Sequence, residues 1–467
     1  MLNDSSVNDF KASLRGELIR DGEPGYEEAR KIHNAMISKR PMMIARCADV
    51  ADVIACVNFA RTTKVPVAIR SGGHNGGGLG ICDKGLVIDL SRIKYVRVNP
   101  EEKTVVVGGG TTWGDVDHAT HAFGMAVPSG IVSTTGVGGL TLGGGIGHLT
   151  RKFGLTIDSL LSVDMVLADG SFVTANARQN QDLFWAVRGG GGNFGVCTAF
   201  TYQLHPISTV FAGPMLWDLS DAEEIMKWYA RMIKPAPDDL NGFFAFLTVP
   251  PGPPFPEHLH MKKMCGVVWT YTGKPEKADE TFAAIRSFKK PALDLVGQLP
   301  LPALQGMFDA LVPAGLQYYW RADFVNDLKD EAIKKHIKWA EQMPTMLSTM
   351  HMYPVNGAAS RVRSGDTAWS YRDAMWAMIV LGADPDPANA EKITAWTKAY
   401  QEDLHPYSAG GAYVNFMMDE GIDRVRATYR DNFDRLVKVK DKYDPENLFC
   451  INQNIQPTVK KKESVHA

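Results

Sequence analysis

The stretch AIRSGGHNGGGLG, residues 68–80, decides how the rest of the sequence is interpreted, because it sets His74 among closely spaced glycines. Glycine adopts positive φ angles and lets the backbone approach a ligand closely, at a cost in chain entropy. The backbone N–H groups that such loops expose bind phosphate well. A flexible surface turn that happens to carry a polar residue is the alternative, and the other motifs decide between the two.

Composition places few limits on function. The chain has 467 residues, 45% hydrophobic and 22% charged, which is typical of a soluble globular protein with two or more domains. A formal net charge of −2 gives no bulk attraction for nucleic acid or anionic membranes. The basic run Lys460–Lys462 is predicted to be a solvated tail. No apolar run is long enough for a membrane span, and no signal peptide is apparent, so a cytoplasmic location is expected.

The cysteines indicate free thiols. There are six, widely spaced and without a CxxC pair, which is not the pattern of a disulfide framework or a zinc site. His258 and His260 are predicted to share a strand face, but a metal would need at least one further ligand. The sequence therefore predicts no metal centre.

Glycine clusters divide the chain into two parts. They fall at 72–80, 108–110, 136–147 and 189–195, which suggests a cofactor-binding first half and a different second half. Short strands and helices alternate in both halves, which predicts an α+β fold. The predicted segments include helices at 50–63, 111–124 and near 222–234, a hairpin at 160–175, strands at 374–384 and 411–417, and one long helix ending before Asp444.

The G-x-G-x-x-G match at Gly190, Gly192 and Gly195 does not predict a nicotinamide site. Such a fingerprint follows a strand and opens a helix, whereas here a helical pattern precedes it and a strand pattern follows. Two other glycine loops each follow a predicted strand and are placed to hold a pyrophosphate from two sides. They carry the hydroxyl donors Ser71, Ser133, Thr134 and Thr135. Tightly packed turns without a ligand are the alternative.

Four motifs together resemble a known family. They are AIRSGGHNGGG, the stretch VPSGIVSTTGVGGLTLGGGIGHLTRKFGLTIDSLLSVDMVLADG, then DLFWAVRGGGGNFGVCTAF, and the closing DPENLFCINQNIQP. In this order they are similar to the FAD-linked oxidases of the vanillyl-alcohol-oxidase superfamily, in the berberine-bridge-enzyme-like and 6-hydroxynicotine-oxidase-like branch. The resemblance covers roughly residues 38–205 and 410–457. It implies a two-domain FAD-binding fold of the PCMH type with an antiparallel substrate-domain sheet backed by helices.

The resemblance implies roles for individual residues. His74 would carry a covalent bond to the 8α-methyl carbon of FAD. Val132 stands where many relatives have a second linking cysteine, so a single link is expected. The implied cofactor contacts are Arg70, Ser71, Gly72, Gly73, His74, Asn75, Ser133, Thr134, Thr135, Gly138, Gly139, Gly143, Gly145, Ile146, Asn193, Gly195, Val196, Asn452 and Asn454.

The catalytic residues are expected on the sheet of the predicted substrate domain. Tyr413 and Asn415 match the family's stretch near the flavin and are the candidate catalytic residues; a half-buried core role for Tyr413 is the alternative. The neighbouring strand AMWAMIVL lacks an ionisable residue, which favours an apolar pocket lined by Trp376 and Met378. Arg372 would bind an acidic or carbonyl group, or else form a surface salt bridge.

The expected layout is an FAD-binding domain at 1–207, a substrate domain at 208–418, and a segment at 419–467 that returns to the first domain. The expected reaction is oxidation of a CH–OH or CH–NH group in a small aromatic or heterocyclic compound, with oxygen reduced to hydrogen peroxide. A dehydrogenase with another electron acceptor and a non-catalytic flavin-binding protein are the alternatives. A homodimer is compatible with the sequence, and no nucleic-acid or membrane partner is expected.

Overall fold

The computed structural model describes residues 4–458, so the basic run at 460–462 lies outside the described residues. The strands are β1 (Glu17–Arg20), β2 (Met43–Arg46), β3 (Val67–Arg70), β4 (Leu86–Asp89), β5 (Val96–Asn99), β6 (Thr104–Gly108), β7 (Leu160–Val166), β8 (Phe172–Asn176), β9 (Val196–Gln203), β10 (Thr209–Asp218), β11 (Leu240–Thr248), β12 (Lys263–Tyr271), β13 (Leu293–Asp294), β14 (Gly297–Pro300), β15 (Gln317–Val325), β16 (Thr349–Pro354) and β17 (Trp376–Asp384). The helices are α1 (Asp4–Ser13), α2 (Tyr26–Ala29), α3 (Val50–Thr63), α4 (Trp113–His121), α5 (Val137–Gly143), α6 (Thr150–Phe153), α7 (Gln181–Val187), α8 (Ala222–Ile233), α9 (Ala278–Phe288), α10 (Leu301–Gln305), α11 (Asp330–Glu341), α12 (Ala358–Arg361), α13 (Ala390–Leu404), α14 (Ile422–Tyr429) and α15 (Phe433–Tyr443).

Two sheets form the first half of the chain. The first has the order β1-β2-β4-β3, in which β2, β4 and β3 run parallel. The second is antiparallel, with the order β5-β6-β9-β7-β8. Strand β3 ends at Arg70, so the glycine loop that carries His74 leaves the carboxyl end of a parallel strand. Ligands of α/β sheets bind at this end, where loops meet.

The second half is built on one large antiparallel sheet. Its order is β13-β10-β12-β11-β16-β17-β15, with β14 pairing beside β10. Helices α8, α9, α11 and α13 bury one face, where Trp376, Met378 and Val380 pack together with Trp396 and Tyr400. The other face carries a separate apolar cluster that includes residues of the first half. Because side chains alternate along a strand, each residue of β17 belongs to one face only.

The C-terminal segment packs back onto the first half. Leu436 and Val439 of α15 share a core with Val107 and Phe200 of the five-stranded sheet. The buried ammonium of Lys440 lies 2.6 Å from the Asp444 carboxylate and also donates to backbone carbonyls. The division into 1–207, 208–418 and 419–467 stays a prediction.

Two predicted elements differ in the structure. The long C-terminal helix is divided into α14 and α15 by a turn at Arg430–Asn432, where Arg430 has a φ of 45°. Residues 411–417 form no strand; they run as a loop with a short 3₁₀ turn at Val414–Phe416. Alternation of apolar residues over so short a stretch does not distinguish a strand from a tight turn. Within residues 4–458, no helix has both the length and the hydropathy that crossing a bilayer requires.

Candidate active site

A cavity of about 340 Å³ lies between the glycine loops and the face of the large sheet that helices α8, α9, α11 and α13 do not cover. Two loops form its floor: residues 71–75, and residues 130–140 at the start of α5. Their backbones touch at Gly72 and Gly136, where a Cβ atom on either residue would overlap the backbone of the other. Glycine is therefore required at both positions for the loops to meet.

The loops present unpaired backbone donors. The N–H groups of Gly72, Gly73 and His74 have no hydrogen-bond partner within residues 4–458, and Gly73 has a φ of 70°. The N–H groups of Gly138 and Gly139, in the first turn of α5, are also unpaired in this part of the chain. Successive N–H groups of this kind form an anion-binding concavity. The arrangement suits a pyrophosphate.

His74 is held in a defined orientation. Its Nε2 lies 3.0 Å from the hydroxyl of Thr134, and its ring stacks on His33 with centroids 4.0 Å apart. His33 in turn stacks on Tyr318 at 4.9 Å. Burial, and to a smaller extent the neighbouring His33, lowers the pKa of His74 to about 3. The imidazole is therefore neutral and nucleophilic at neutral pH.

Tyr413 and Asn415 meet at the wall of the cavity, beside α5. The Tyr413 hydroxyl accepts hydrogen bonds of 2.8 Å from the Gly145 N–H and from Nδ2 of Asn415. Asn415 also donates to the Leu140 carbonyl, which fixes its amide orientation. Burial raises the pKa of Tyr413 to about 12, against the lowering effect of these donors. The phenol is therefore protonated at neutral pH, and its own hydrogen has no acceptor within residues 4–458.

Most of the residues predicted to contact the cofactor border this cavity. Those that do are Arg70, Ser71, Gly72, Gly73, His74, Asn75, Thr135, Gly138, Gly139, Ile146, Asn193, Gly195 and Asn452, together with Tyr413 and Asn415. The side chain of Arg70 is paired with Asp89 at 2.7 Å, and the Ser71 hydroxyl donates to the Gly109 carbonyl, so both also brace the loops.

Six predicted contacts lie behind the cavity wall or beside it. The Thr134 hydroxyl is hydrogen-bonded to His74, the Gly145 N–H donates to Tyr413, and Gly143 lies directly beneath the Asn415 amide. Ser133 is not a free hydroxyl donor, since it is bonded to Asp309. The remaining two are Val196, which is buried in the neighbouring core, and Asn454.

The predicted substrate pocket was wrong. Trp376 and Met378 lie on the helix-covered face of β17, and Ile379 and Leu381 are the residues of that strand that border the cavity. The strand was identified correctly, but its sequence is apolar on both faces, so alternation could not show which face is the pocket. Arg372 is not a ligand-binding residue either, because it is buried in a bidentate pair with Asp158 at 2.7 Å.

Several bordering residues were not predicted. His33 comes from a loop before β2, Trp320 from β15, and His351 and Tyr353 from β16. The alternating H-x-Y pattern at 351–353 is the one signal that the sequence offered. His258 and His260 do not share a strand; they lie at a 3₁₀ turn at Glu257–Leu259, and Nε2 of His260 is bonded to the Phe255 carbonyl. Within residues 4–458, no cluster of three or more metal-ligating side chains occurs.

Comparison with known sequences places the chain in a family. Two family descriptions match: FAD binding domain over residues 41–176, and Berberine and berberine like over residues 412–456. A FAD-linked oxidoreductase of Dictyostelium discoideum is 32% identical over 457 residues, which cover 97% of this chain and 97% of that protein. (R)-6-hydroxynicotine oxidase of Paenarthrobacter nicotinovorans is 26% identical over 474 residues, which cover 95% of this chain and 97% of that protein.

Solved structures agree at the level of the fold. The structure of 6-hydroxy-D-nicotine oxidase from Arthrobacter nicotinovorans matches with a TM-score of 0.83 at 23% identity, covering 95% of this chain and 98% of that one. A chitooligosaccharide oxidase matches with a TM-score of 0.84 at 22% identity, covering 97% and 100%. The chain belongs to the FAD-linked oxidoreductases, in their berberine-bridge-like branch. The predicted α+β, PCMH-type fold is thereby confirmed, and the protein is an FAD-binding oxidoreductase.

The residues present fit FAD. The unpaired N–H groups of the two loops suit its pyrophosphate, and the buried Oδ1 of Asn452, at the cavity wall, lacks a partner within residues 4–458. Gly139 is the clearest geometric sign, because it borders the cavity and a Cβ there would meet no atom within 4 Å. The space beside Gly139 is therefore open to a ligand.

A Gly139→Leu substitution is expected to abolish FAD binding while it stabilises the apoprotein. The side chain would project into the cavity, and replacing a helical glycine favours the helix by about 0.5–1 kcal/mol. The ratio of flavin to protein and the urea unfolding of the apoprotein measure the two effects. Gly365→Leu is the control, since Gly365 also has open space at its Cβ but lies outside the cavity. Full flavin content in Gly139→Leu would contradict this placement.

Proposed function

We propose that this protein is an FAD-dependent oxidase that oxidises a CH–OH or CH–NH group of a small aromatic or heterocyclic compound. The cavity itself supports the proposal most strongly, because it is bordered by loops with unpaired backbone N–H groups, by a neutral histidine, by the hydrogen-bonded Tyr413 and Asn415, and by an apolar face of the large sheet. The names of relatives such as (R)-6-hydroxynicotine oxidase support an oxidase of small molecules.

The chain's own residues divide the work of holding FAD. The loop at 72–74 and the first turn of α5 would bind the pyrophosphate, and Asn193 and Asn452 tie the C-terminal segment to the cavity wall. His74 would carry the single covalent bond to the flavin, with Thr134 and His33 fixing its ring. Val132 borders the cavity and has no nucleophilic atom, so a second link is not expected at that position.

Bound FAD supplies a two-electron acceptor for the hydride that leaves the substrate carbon, and oxygen as the final acceptor yields hydrogen peroxide. Tyr413 would orient the substrate: its hydroxyl is held by Gly145 and Asn415, so its hydrogen is directed to a ligand heteroatom. Ile379, Leu381 and Phe416 would exclude water from the reacting carbon.

The groups around the cavity favour an amine over an alcohol. Within residues 4–458, no aspartate, glutamate or lysine borders it, and Tyr413 is protonated at neutral pH. Of the three histidines that border it in this part of the chain, His74 would be bonded to FAD, His33 is stacked between His74 and Tyr318 with its Nε2 enclosed in the interior, and Nδ1 of His351 is bonded to Tyr353. An alcohol needs a base for its hydroxyl proton, whereas a neutral amine can lose hydride without one. A CH–NH substrate bound in its uncharged form is therefore the better match.

The oxidase and its alternatives differ in where the electrons go. An oxidase releases one hydrogen peroxide per substrate oxidised, and anaerobic substrate bleaches the flavin, which air restores. A dehydrogenase bleaches in the same way but recolours only with another acceptor, such as a quinone. A non-catalytic flavin-binding protein is not bleached by any amine or alcohol in a broad panel. Peroxide formation at less than stoichiometric yield in air would contradict the oxidase. Homodimer formation, a cytoplasmic location and the lack of nucleic-acid or membrane partners stay predictions.

A further inference from the structure

Strand β16 places a hydrogen-bonded pair on the cavity face of the large sheet. His351 lies opposite Ile379 of β17 in the strand register, and both border the cavity. Tyr353, two residues on, borders it as well. Phe243 packs against both rings, with centroids 5.2 Å from His351 and 4.9 Å from Tyr353. The pair is therefore fixed in position by the sheet and by an aromatic neighbour.

The bond between the two residues has two possible directions, and the burial of the phenol favours one of them. Nδ1 of His351 lies 2.6 Å from the Tyr353 hydroxyl, which is the one partner of that hydroxyl within residues 4–458. Burial lowers the pKa of His351 to about 4 and raises the pKa of Tyr353, so both are uncharged at neutral pH. A buried phenol leaves its hydrogen unpaired at a substantial cost unless it donates. Donation to Nδ1 is the arrangement that pairs the phenol hydrogen within residues 4–458.

The direction of that bond sets the tautomer of the imidazole. A neutral imidazole carries one hydrogen, and with Nδ1 accepting from Tyr353, that hydrogen is on Nε2. Nε2 has no hydrogen-bond partner among the described residues and is not one of the polar atoms enclosed in the interior. Since the ring borders the cavity, Nε2–H is a donor available to a ligand.

We propose that His351 is a specificity-determining residue whose Nε2–H donates to an acceptor atom of the substrate, a ring nitrogen or a carbonyl oxygen, and that Tyr353 keeps it a donor. The inference deepens the proposed function, on which it rests, by naming the substrate class: an aromatic compound with a hydrogen-bond acceptor on its ring. A ring that offers a donor at this position would face the Nε2 hydrogen and be rejected, because neither group could pair.

Quinoline and indole test this preference, because they are uncharged bicyclic rings of similar size. Quinoline offers an acceptor nitrogen, and indole offers an N–H donor. Titration into the yellow holoprotein at neutral pH, followed by the change in flavin absorbance, gives both dissociation constants. Wild type is expected to bind quinoline about tenfold more tightly than indole, in line with one hydrogen bond gained and one mismatch avoided.

Two variants test whether the hydrogen bond between His351 and Tyr353, and not packing alone, sets the preference for quinoline. In Tyr353→Phe the aromatic ring at position 353 stays in place, but Nδ1 of His351 is free to take the hydrogen and Nε2 can accept. The ratio of the indole to the quinoline dissociation constant should therefore fall to about one, through tighter indole binding. In His351→Phe the ratio should fall through weaker quinoline binding instead. Met352→Leu, on the opposite face of β16, is the control and should keep the wild-type ratio.

Failure of the role of His351 and failure of the proposed function would give different results. Yellow protein that binds both rings equally, or does not bind quinoline, overturns the role of His351 and leaves the flavin site intact. A wild-type ratio retained in Tyr353→Phe overturns the role of Tyr353 in setting the tautomer. Colourless protein would overturn the proposed function, and calorimetric titration of the same two rings would then decide the role of His351 by the same ratio.

Discussion

Replacement of Tyr413 by phenylalanine is expected to slow anaerobic flavin reduction by substrate by roughly 10²-fold or more, with flavin content unchanged. The change removes the hydroxyl that Gly145 and Asn415 hold at the cavity, while the ring and its edge-on contact with Phe416 remain. Stopped-flow absorbance measures the reduction rate directly. A rate within a factor of about two of wild type would contradict a role in the chemistry.

The control for this variant addresses stability. The Gly145 N–H loses its acceptor in Tyr413→Phe, which costs about 1–3 kcal/mol for an unpaired buried donor. Tyr371→Phe produces a similar defect, since Tyr371 is buried and its hydroxyl bonds the carbonyls of Ala409 and Ala427, but it does not border the cavity. We expect Tyr371→Phe to lower stability and leave the reduction rate unchanged.

Replacement of His74 by alanine is expected to remove covalent flavin completely. The protein should still fold and bind FAD, because the N–H groups of the two loops are backbone groups that the substitution leaves in place. Acid precipitation would then release all of the yellow colour into the supernatant. Cys197→Ser is the matched control, since Cys197 is the thiol that borders the cavity, and its loss should not affect the link.

The pH dependence of attachment gives a second test of His74. A protonated imidazole is not a nucleophile, and burial has lowered the pKa of His74 from 6.5 to about 3. The neutral form therefore persists well below the ordinary titration range. Apoprotein mixed with FAD should couple at a constant rate from about pH 5 to pH 8, whereas an ordinary histidine would lose about tenfold per pH unit below 6.5. A steep fall below pH 6.5 would contradict the neutral state of the imidazole.

The sequence was informative where local chemistry constrains each residue. Helix α3 matches its predicted limits, since Asp49 accepts from the N–H groups of Ala51 and Asp52 at its start and Lys64 ends it in a left-handed conformation. The glycine loops were also identified, because close backbone contact at Gly72 and Gly136 leaves no space for any other residue. For the helix, the cause lies within a few residues of the signal; for the loops, the glycines themselves mark the close contact.

Features that depend on distant parts of the chain were not predicted. Trp376 and Ile379 are both apolar, and which of them faces the cavity depends on helices that cover the other face, among them α8, which lies much earlier in the chain. His33 has no motif around it, and only the fold brings it to within 4.0 Å of the His74 ring centroid. For Arg372 the sequence left a ligand contact and a surface salt bridge open, because Asp158, its partner in a buried ion pair, lies far away in the sequence.

The proposed covalent bond between His74 and FAD can be observed in the purified wild-type protein. The protein is precipitated with acid, digested with a protease, and every peptide that carries flavin mass is mapped by mass spectrometry. Flavin is expected on the peptide that contains His74 and on no other peptide. Free FAD in the supernatant and unmodified His74 peptide would contradict the covalent role, and flavin on a cysteine peptide would contradict the single link.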